Sequence, residues 1–474
     1  MIQHPSRPFR RLSDEQCERL HQASVEILER TGVRLYHQPA VDLLRKAGAS
    51  VSDGNRVRIP PQLVDDAFET VPQEVVLYDR HGEPAMHLGG RRAFFGTGSD
   101  CLNIIDHRTG ERRKPVMEDI VEGITLCDAL PNIDFVMSMF LPTDVSDAVT
   151  DRHQMQAMLS HTTKPIIYVT NDAAGCEDAV AMAEVVVGGA EALEEKPLAA
   201  CYINVTTGLR HNEEALEKLL FLSERGLPAA YIPVALGGAT APITLAGNMA
   251  IWNAGCLAGL VISQLNRPGA PFITSGWGAS ALDMRTATSP YVEPEKQFIA
   301  QELAHSYPLP MFSLGGCSDS KLVDQQAGVE AALTLMVNAL AGGQLIHDVG
   351  YLASGLTGSL AQVVVCNEII SWLRAALEPI EINDETLALD LIDEVGPDGQ
   401  FMEADHTLEH FRDRWYPTIL ERYDYERWLE RGGEDLGQRA ADRVEEILNE
   451  HRPEPLPNRL QERLRQIIED AEGS

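Results

Sequence analysis

At 474 residues the chain exceeds one ordinary domain and suits a barrel of about 250 residues with additions at both ends. Asp plus Glu at 71 against Lys plus Arg at 39 gives a net charge of -32, which repels nucleic-acid phosphates and anionic lipid and excludes both as expected partners. No apolar run approaches the ~20 residues needed to cross a bilayer, and the start, MIQHPSRPFRR, has no apolar stretch behind its basic residues, so a cytoplasmic protein is expected.

Residues 1–90 read as a helical cap followed by short strands. Leu20, Ala23, Ile27 and Leu28 lie near helical spacing, and EVVLYD followed by AMHLGG around His81-Gly82 alternates like a hairpin. From Arg92 the pattern becomes apolar runs alternating with amphipathic stretches, the mark of repeated βα units. Strands are predicted at 93–97, 135–141, 165–170, 198–204, 229–234, 271–275, 310–315 and 344–349, and helices at 212–224, 245–266, 293–305, 324–341 and 359–377. Eight units is the number that closes a TIM (β/α)8 barrel, here over 91–378; an open doubly wound sheet is the alternative α/β arrangement. Ala250, Ala254, Gly255, Ala258 and Gly259 crowd the helix predicted from Leu245, which should pack tightly on a neighbour. Residues 379–474 turn richer in charge and helix formers and read as a C-terminal helical appendage, its aromatics Trp415, Tyr416, Tyr423, Tyr425 and Trp428 serving core and interface. The 8 cysteines are scattered without paired spacing and are expected to be reduced and buried.

The richest stretch is 309–330, LPMFSLGGCSDSKLVDQQAGVE, where an apolar strand runs into Gly315-Gly316 and a polar cluster before a helix. Ser, Asp and Gly in that order suit capping and loop hydrogen bonds, and at the mouth of a barrel the same residues suit ligand binding. The pattern of Ser318, Asp319, Ser320, Lys321, Asp324, Gln326, Ala327, Gly328 and Glu330 resembles the trimethylamine methyltransferase family. The GGATAPITLAG run at 237–247 and the DHTLEHFR run at 405–412 extend the likeness over nearly the whole chain. The resemblance implies methyl transfer from an amine to a cobalt corrinoid (cobalamin) carried by a separate, cognate protein, with no cofactor held tightly by this chain. The family's founding enzymes use pyrrolysine, and this chain has only the twenty standard residues. It therefore resembles the non-pyrrolysine branch, which implies a quaternary amine such as glycine betaine as donor; trimethylamine or another N-methyl compound is the competing substrate, and a non-catalytic betaine-binding protein the competing class. A homo-oligomer is also expected.

In a barrel the residues at the strand ends converge. Trp277, Tyr202 and Tyr351 are placed to enclose a quaternary ammonium by cation-π attraction, worth ~0.5 to 2 kcal/mol each. Asp319 and Lys321 follow the seventh strand. The carboxylate of a betaine is assigned to His347 or Lys321, with Arg285 a further candidate, since an aromatic cage alone cannot tell betaine from choline. No P-loop, dinucleotide fingerprint or nucleophile elbow is present; Gly96-x-Gly98 after a strand is half of a weak signal. His406-x-x-Glu409-His410 matches the H-x-x-E-H zinc pattern, but a third ligand would have to come from the short remaining chain, so no metal is expected there.

Overall fold

The computed structural model describes residues 10–473. Its centre is a seven-stranded, all-parallel sheet. The strands are β1 (Phe94–Phe95), β2 (Ile166–Tyr168), β3 (Ala199–Val205), β4 (Ala229–Pro233), β5 (Phe272–Ser275), β6 (Met311–Leu314) and β7 (Leu345–His347). They lie in the order β1-β7-β6-β5-β4-β3-β2, so that β1 and β2 are the edges. The segment predicted as the second strand does not form a full ladder. It instead makes isolated parallel bridges, Gly96 with Phe135 and Cys101 with Phe140 on the β1 side and Val136 with Ile166 on the β2 side, and Thr97 Oγ1 donates to Met137 O at 3.1 Å. The sheet is therefore curled, with its two edges joined through 135–137.

The alternation of side chains explains the curl. Phe94, Ile167, Tyr202, Ile232, Ile273, Phe312 and Leu345 form one buried cluster, while their outward neighbours Tyr168, Ile203, Tyr231, Phe272 and Ile346 belong to the larger core beneath the helices. The inner cluster is completed by Val75, Leu77, Met86 and Leu88 of the predicted hairpin, strands Val75–Tyr78 and Pro84–Leu88. Tyr78 N donates to Pro197 O and Arg80 N to Thr163 O, both just before the strands they precede, so the hairpin plugs the N-terminal end of the sheet. The opposite end is left for chemistry.

Between strands run helices close to those predicted, among them Glu213–Arg225, Leu245–Asn266, Pro294–Ser306, Gln325–Ala341 and Leu360–Leu377. The small-residue stripe of Leu245–Asn266 packs as expected: a Cβ on Gly255 would meet Pro233 Cβ at 2.9 Å, and one on Gly259 would overlap the Tyr231 ring. Leu245–Asn266 and Leu360–Leu377 are long and apolar enough to span a bilayer, contrary to the expectation that no such run exists, but both are mostly buried against the sheet and its neighbours. All eight cysteine thiols are free and buried. At the C-terminus, Leu436–Glu450 packs on Leu360–Leu377 and Asn458–Glu472 on the helices Thr150–His161 and Ala173–Val187.

Candidate active site

The C-terminal ends of the strands converge on His347 and Asp348. His347 continues the inward face of β7 and packs at a tilt against Phe312 at 4.2 Å, Trp277 at 5.4 Å and Tyr202 at 5.9 Å between ring centroids. Its Nδ1 lies 2.6 Å from Ser313 O, so that nitrogen carries the hydrogen, and its Nε2 faces Asp348 Oδ1 at 3.4 Å. Burial lowers the imidazole pKa in spite of the acid beside it, leaving a neutral ring near pH 7.

Asp348 is buried and adopts φ 73°, a left-handed conformation uncommon for a residue with a side chain. Asp100, at φ 65°, and Met139, at φ 61°, stand in the same region after β1 and after the bridging segment. Such backbone costs ~1 to 3 kcal/mol each and persists where its surroundings over-determine it. Here the surroundings do: Tyr291 Oη donates to Asp348 Oδ2, and Tyr351 Oη donates to Ser99 O at 2.5 Å and reaches Met139 O at 3.1 Å. Burial pushes both the Asp100 and the Asp348 carboxyls up; the charge of Asp348 raises Asp100 further, and both acids raise the phenols of Tyr202 and Tyr351. Two acids with raised pKa values, Asp348 buried and Asp100 half-buried, stand here beside aromatic side chains.

Gly98 makes that approach possible. A Cβ there would overlap Asp348 Oδ1 and fall 2.7 Å from Tyr351 Oη, so the glycine reflects close packing of the acid rather than half of a nucleotide motif.

Beside the acids lies a cavity of about 340 Å3 lined by Trp277, Tyr291, Val234, Leu236, Leu314, Ser354, Glu293 and Lys296, among others. The Trp277 indole Nε1 is buried without a hydrogen-bond partner among the described residues. Lys296 pairs with Glu293, and Glu293 Oε2 also accepts from Ser280 Oγ at 3.3 Å. The space suits a small molecule with an apolar body and few polar contacts.

Comparison with known protein families matches residues 1–473 to trimethylamine methyltransferase (MTTB). The chain belongs to the trimethylamine methyltransferase family. It is 34% identical to a trimethylamine methyltransferase of Desulfitobacterium hafniense (strain DSM 10664 / DCB-2) over 97% of this chain and 93% of that protein. It is 30% identical to a glycine betaine methyltransferase of Desulfitobacterium hafniense (strain Y51) over 96% of each. The fold is similar to that of the monomethylamine methyltransferase of Methanosarcina barkeri, with a TM-score of 0.52, 13% identity and coverage of 93% of this chain and 89% of that one. Family membership makes the protein a methyltransferase.

In this methyltransferase the expected site residues separate into three groups. Trp277, Tyr202 and His347 come together as one aromatic cluster, and Tyr351 stands behind it with its hydroxyl committed to backbone carbonyls. Asp319 accepts from the backbone N of Tyr291 at 3.1 Å and of Val292 at 3.3 Å and from Ser354 Oγ at 2.6 Å, so it pins the loop that carries Tyr291. Lys321 and Arg285 are not brought to the cluster: Lys321 Nζ donates to Asp319 O at 2.6 Å on the surface, and Arg285, 89% exposed in its side chain, pairs with Asp283. The family motif after β6 largely wires its own loop. Ser318 Oγ donates to Glu330 Oε2 at 2.6 Å, and Asp324 caps the following helix by accepting from Ala327 N at 3.0 Å.

Tyr291 and Lys296 escaped sequence reasoning. Lys296 carried a usable signal, a cation in the first turn of Pro294–Ser306, where the helix dipole disfavours it and a second role is needed to keep it. Tyr291 had none.

Two substitutions follow from this geometry. Trp277→Ala is expected to weaken binding of a quaternary ammonium donor by about 1 to 2 kcal/mol in calorimetric titration, with Trp277→Phe milder; equal affinity with the fold intact would assign the ring to packing. His347→Ala is expected to weaken betaine and choline alike, since a neutral ring bonded to Ser313 O supports Trp277 and Phe312. A loss confined to betaine would instead show that His347 reads the carboxylate.

Proposed function

We propose that the protein moves a methyl group from a quaternary amine, glycine betaine in particular, to the cobalt of a corrinoid carried by a separate protein. The observation that carries the reading is the buried Asp348 with the half-buried Asp100 beside it, set near Trp277, Tyr202, Tyr291 and Tyr351. A fixed cation in that position gains both charge and ring contacts. A quaternary ammonium leaves as a neutral tertiary amine, so the chain need not protonate a leaving group. Its residues bind, desolvate and align. Because positive charge leaves the nitrogen as the methyl group departs, the two acids favour the bound donor more than the transition state and serve affinity and orientation rather than rate.

Betaine rather than choline is favoured by Lys296, which lines the cavity that also holds Trp277 and Tyr291 and would trade its pairing with Glu293 for the donor's carboxylate. The carboxylate role expected for Lys321, His347 or Arg285 passes to Lys296 on this reading. Lys296→Gln is expected to cost betaine binding about 1.5 to 3 kcal/mol and leave choline unchanged. Equal loss of both would sink the betaine assignment while sparing the quaternary amine.

The corrinoid supplies a cobalt nucleophile to accept the methyl group, and it must be presented at the strand ends. Loops there fit such a partner: Leu102, Ile243, Met284, Leu322 and Leu356, each from a loop after a different strand, are exposed large hydrophobic side chains around the mouth. The two bridges through 135–136 support closure of the sheet as the expected (β/α)8 barrel over 91–378, with 1–90 as cap and 379–474 as appendage. Exposed Ile380, Ile382, Leu389, Met402 and Tyr416 support the expected homo-oligomer by offering apolar surface for a second copy. The deciding assay incubates the protein with betaine and a reduced corrinoid protein. Loss of Co(I) absorbance with formation of dimethylglycine is the expected result; neither change with betaine, choline or another quaternary amine would reject the function.

A further inference from the structure

The segment from 381 to 430 poses a structural problem. Its helices Asp384–Leu387, Leu389–Val395, Asp405–His410 and Tyr425–Glu430 contain no buried residue, and their large apolar side chains Leu389, Leu408 and Leu429 are exposed. Little apolar burial holds these short helices to one another. Where a small unit lacks a core, a metal clip is a common way to order it.

The ligands for one are present. His406 and His410 share a face of Asp405–His410, their rings 4.5 Å apart between centroids, and Glu385 approaches from Asp384–Leu387. One ligand atom from each of the three lies within 4.8 Å of the other two. His410 Nδ1 is held by Asp413 Oδ2 at 2.6 Å, which fixes the ring and turns Nε2 toward Glu385 Oε1, also at 2.6 Å. A carboxylate behind a ligating imidazole is the usual outer support of a metal-bound histidine. His406 Nε2 supplies a second, independent sign: it is shielded from solvent and has no hydrogen-bond partner among the described residues. The expectation looked for a third ligand in the chain after the H-x-x-E-H pair, whereas the candidate Glu385 precedes it.

We propose that Glu385, His406 and His410 form a zinc site, with water in the fourth position, that ties Asp384–Leu387 to Asp405–His410. Two imidazole nitrogens and one carboxylate oxygen are a donor set suited to zinc at tetrahedral geometry. The site stands apart from the methyl-transfer cavity and is independent of the donor's identity. The metal orders the segment and leaves the chemistry at Asp348 untouched.

The test uses the full chain, stripped with a chelator and titrated with zinc against a chromophoric competitor. Wild type is expected to take up one zinc per chain. His406→Ala and Glu385→Gln should each weaken uptake by about 10- to 100-fold. Glu217→Gln, in the other histidine-carboxylate cluster of His37, Glu213 and Glu217, should leave the stoichiometry unchanged. A second arm needs no variant: zinc should slow proteolytic cleavage between residues 381 and 430 in wild type. Wild type that takes up no zinc at micromolar free metal, uptake that survives His406→Ala undiminished, or cleavage indifferent to zinc would each overturn the proposal.

Discussion

Replacing Asp348 with Asn is expected to raise the KM and Kd for a quaternary ammonium donor by about 2 to 5 kcal/mol while changing kcat far less, because a buried acid facing a cation acts on binding. Asn tolerates the left-handed backbone that Asp348 adopts, so the change removes charge without forcing a new chain path. Stability should move the other way. Burial raises the Asp348 pKa in the folded state above its unfolded value, so the folded protein holds a proton that the unfolded chain has released. That group therefore favours folding at low pH, and its contribution is lost as pH rises from the ordinary carboxylate range through the raised folded pKa. The Asn variant has no such loss, and without donor it should be at least as stable as wild type near pH 8. A cationic donor binds the ionised acid, so affinity in wild type should fall as pH drops through the same raised pKa; the variant should keep only the part owed to Asp100. Urea unfolding and calorimetric titration between pH 5 and pH 8 measure both. A variant that loses stability and affinity together would place Asp348 in the scaffold alone.

The contrast between Asp348 and Lys321 shows what the sequence made legible. The strands were readable because apolar runs at β3 through β7 are bounded by turn residues, and the positions at their ends could be named without knowing any contact. His347, Trp277 and Tyr202 follow from that register alone, since their strands or the turns directly after them point them at the mouth. Lys321 and Arg285 sit farther along their loops, where direction depends on hydrogen bonds within the loop; Asp319 O and Asp283 capture them at the surface. Tyr291 lies 14 residues beyond Trp277 in the chain and reaches Asp348 only because Asp319 pins its backbone. The segment 135–141 was legible as a strand but not as a set of isolated bridges. The backbone leaves the strand path at Met139, with φ 61°, whose carbonyl accepts from Cys101 N, which interrupts a regular ladder.

Gly98→Ala is expected to weaken donor binding while sparing the fold. The added Cβ would overlap Asp348 Oδ1 and press on the Tyr351 ring and hydroxyl, and each neighbour is tethered by a hydrogen bond that would have to yield. Asp348 is held by Tyr291 Oη, and Tyr351 by Ser99 O and Met139 O. Overpacking of this kind costs about 1 to 3 kcal/mol, and here the strain is relieved most cheaply by moving the acid out of the mouth. Donor affinity should then fall about as far as in Asp348→Asn. Gly96→Ala offers the comparison, since its Cβ would meet the Phe135 ring in the inner core and should lower the melting temperature without singling out the donor. The double variant Gly98→Ala with Asp348→Asn separates the two effects. If the alanine acts by displacing the acid, it should add little to the loss already caused by Asn, a coupling of about 1 kcal/mol or more in the double-mutant cycle. Fully additive losses would mean that Gly98→Ala damages the mouth through Tyr351 instead.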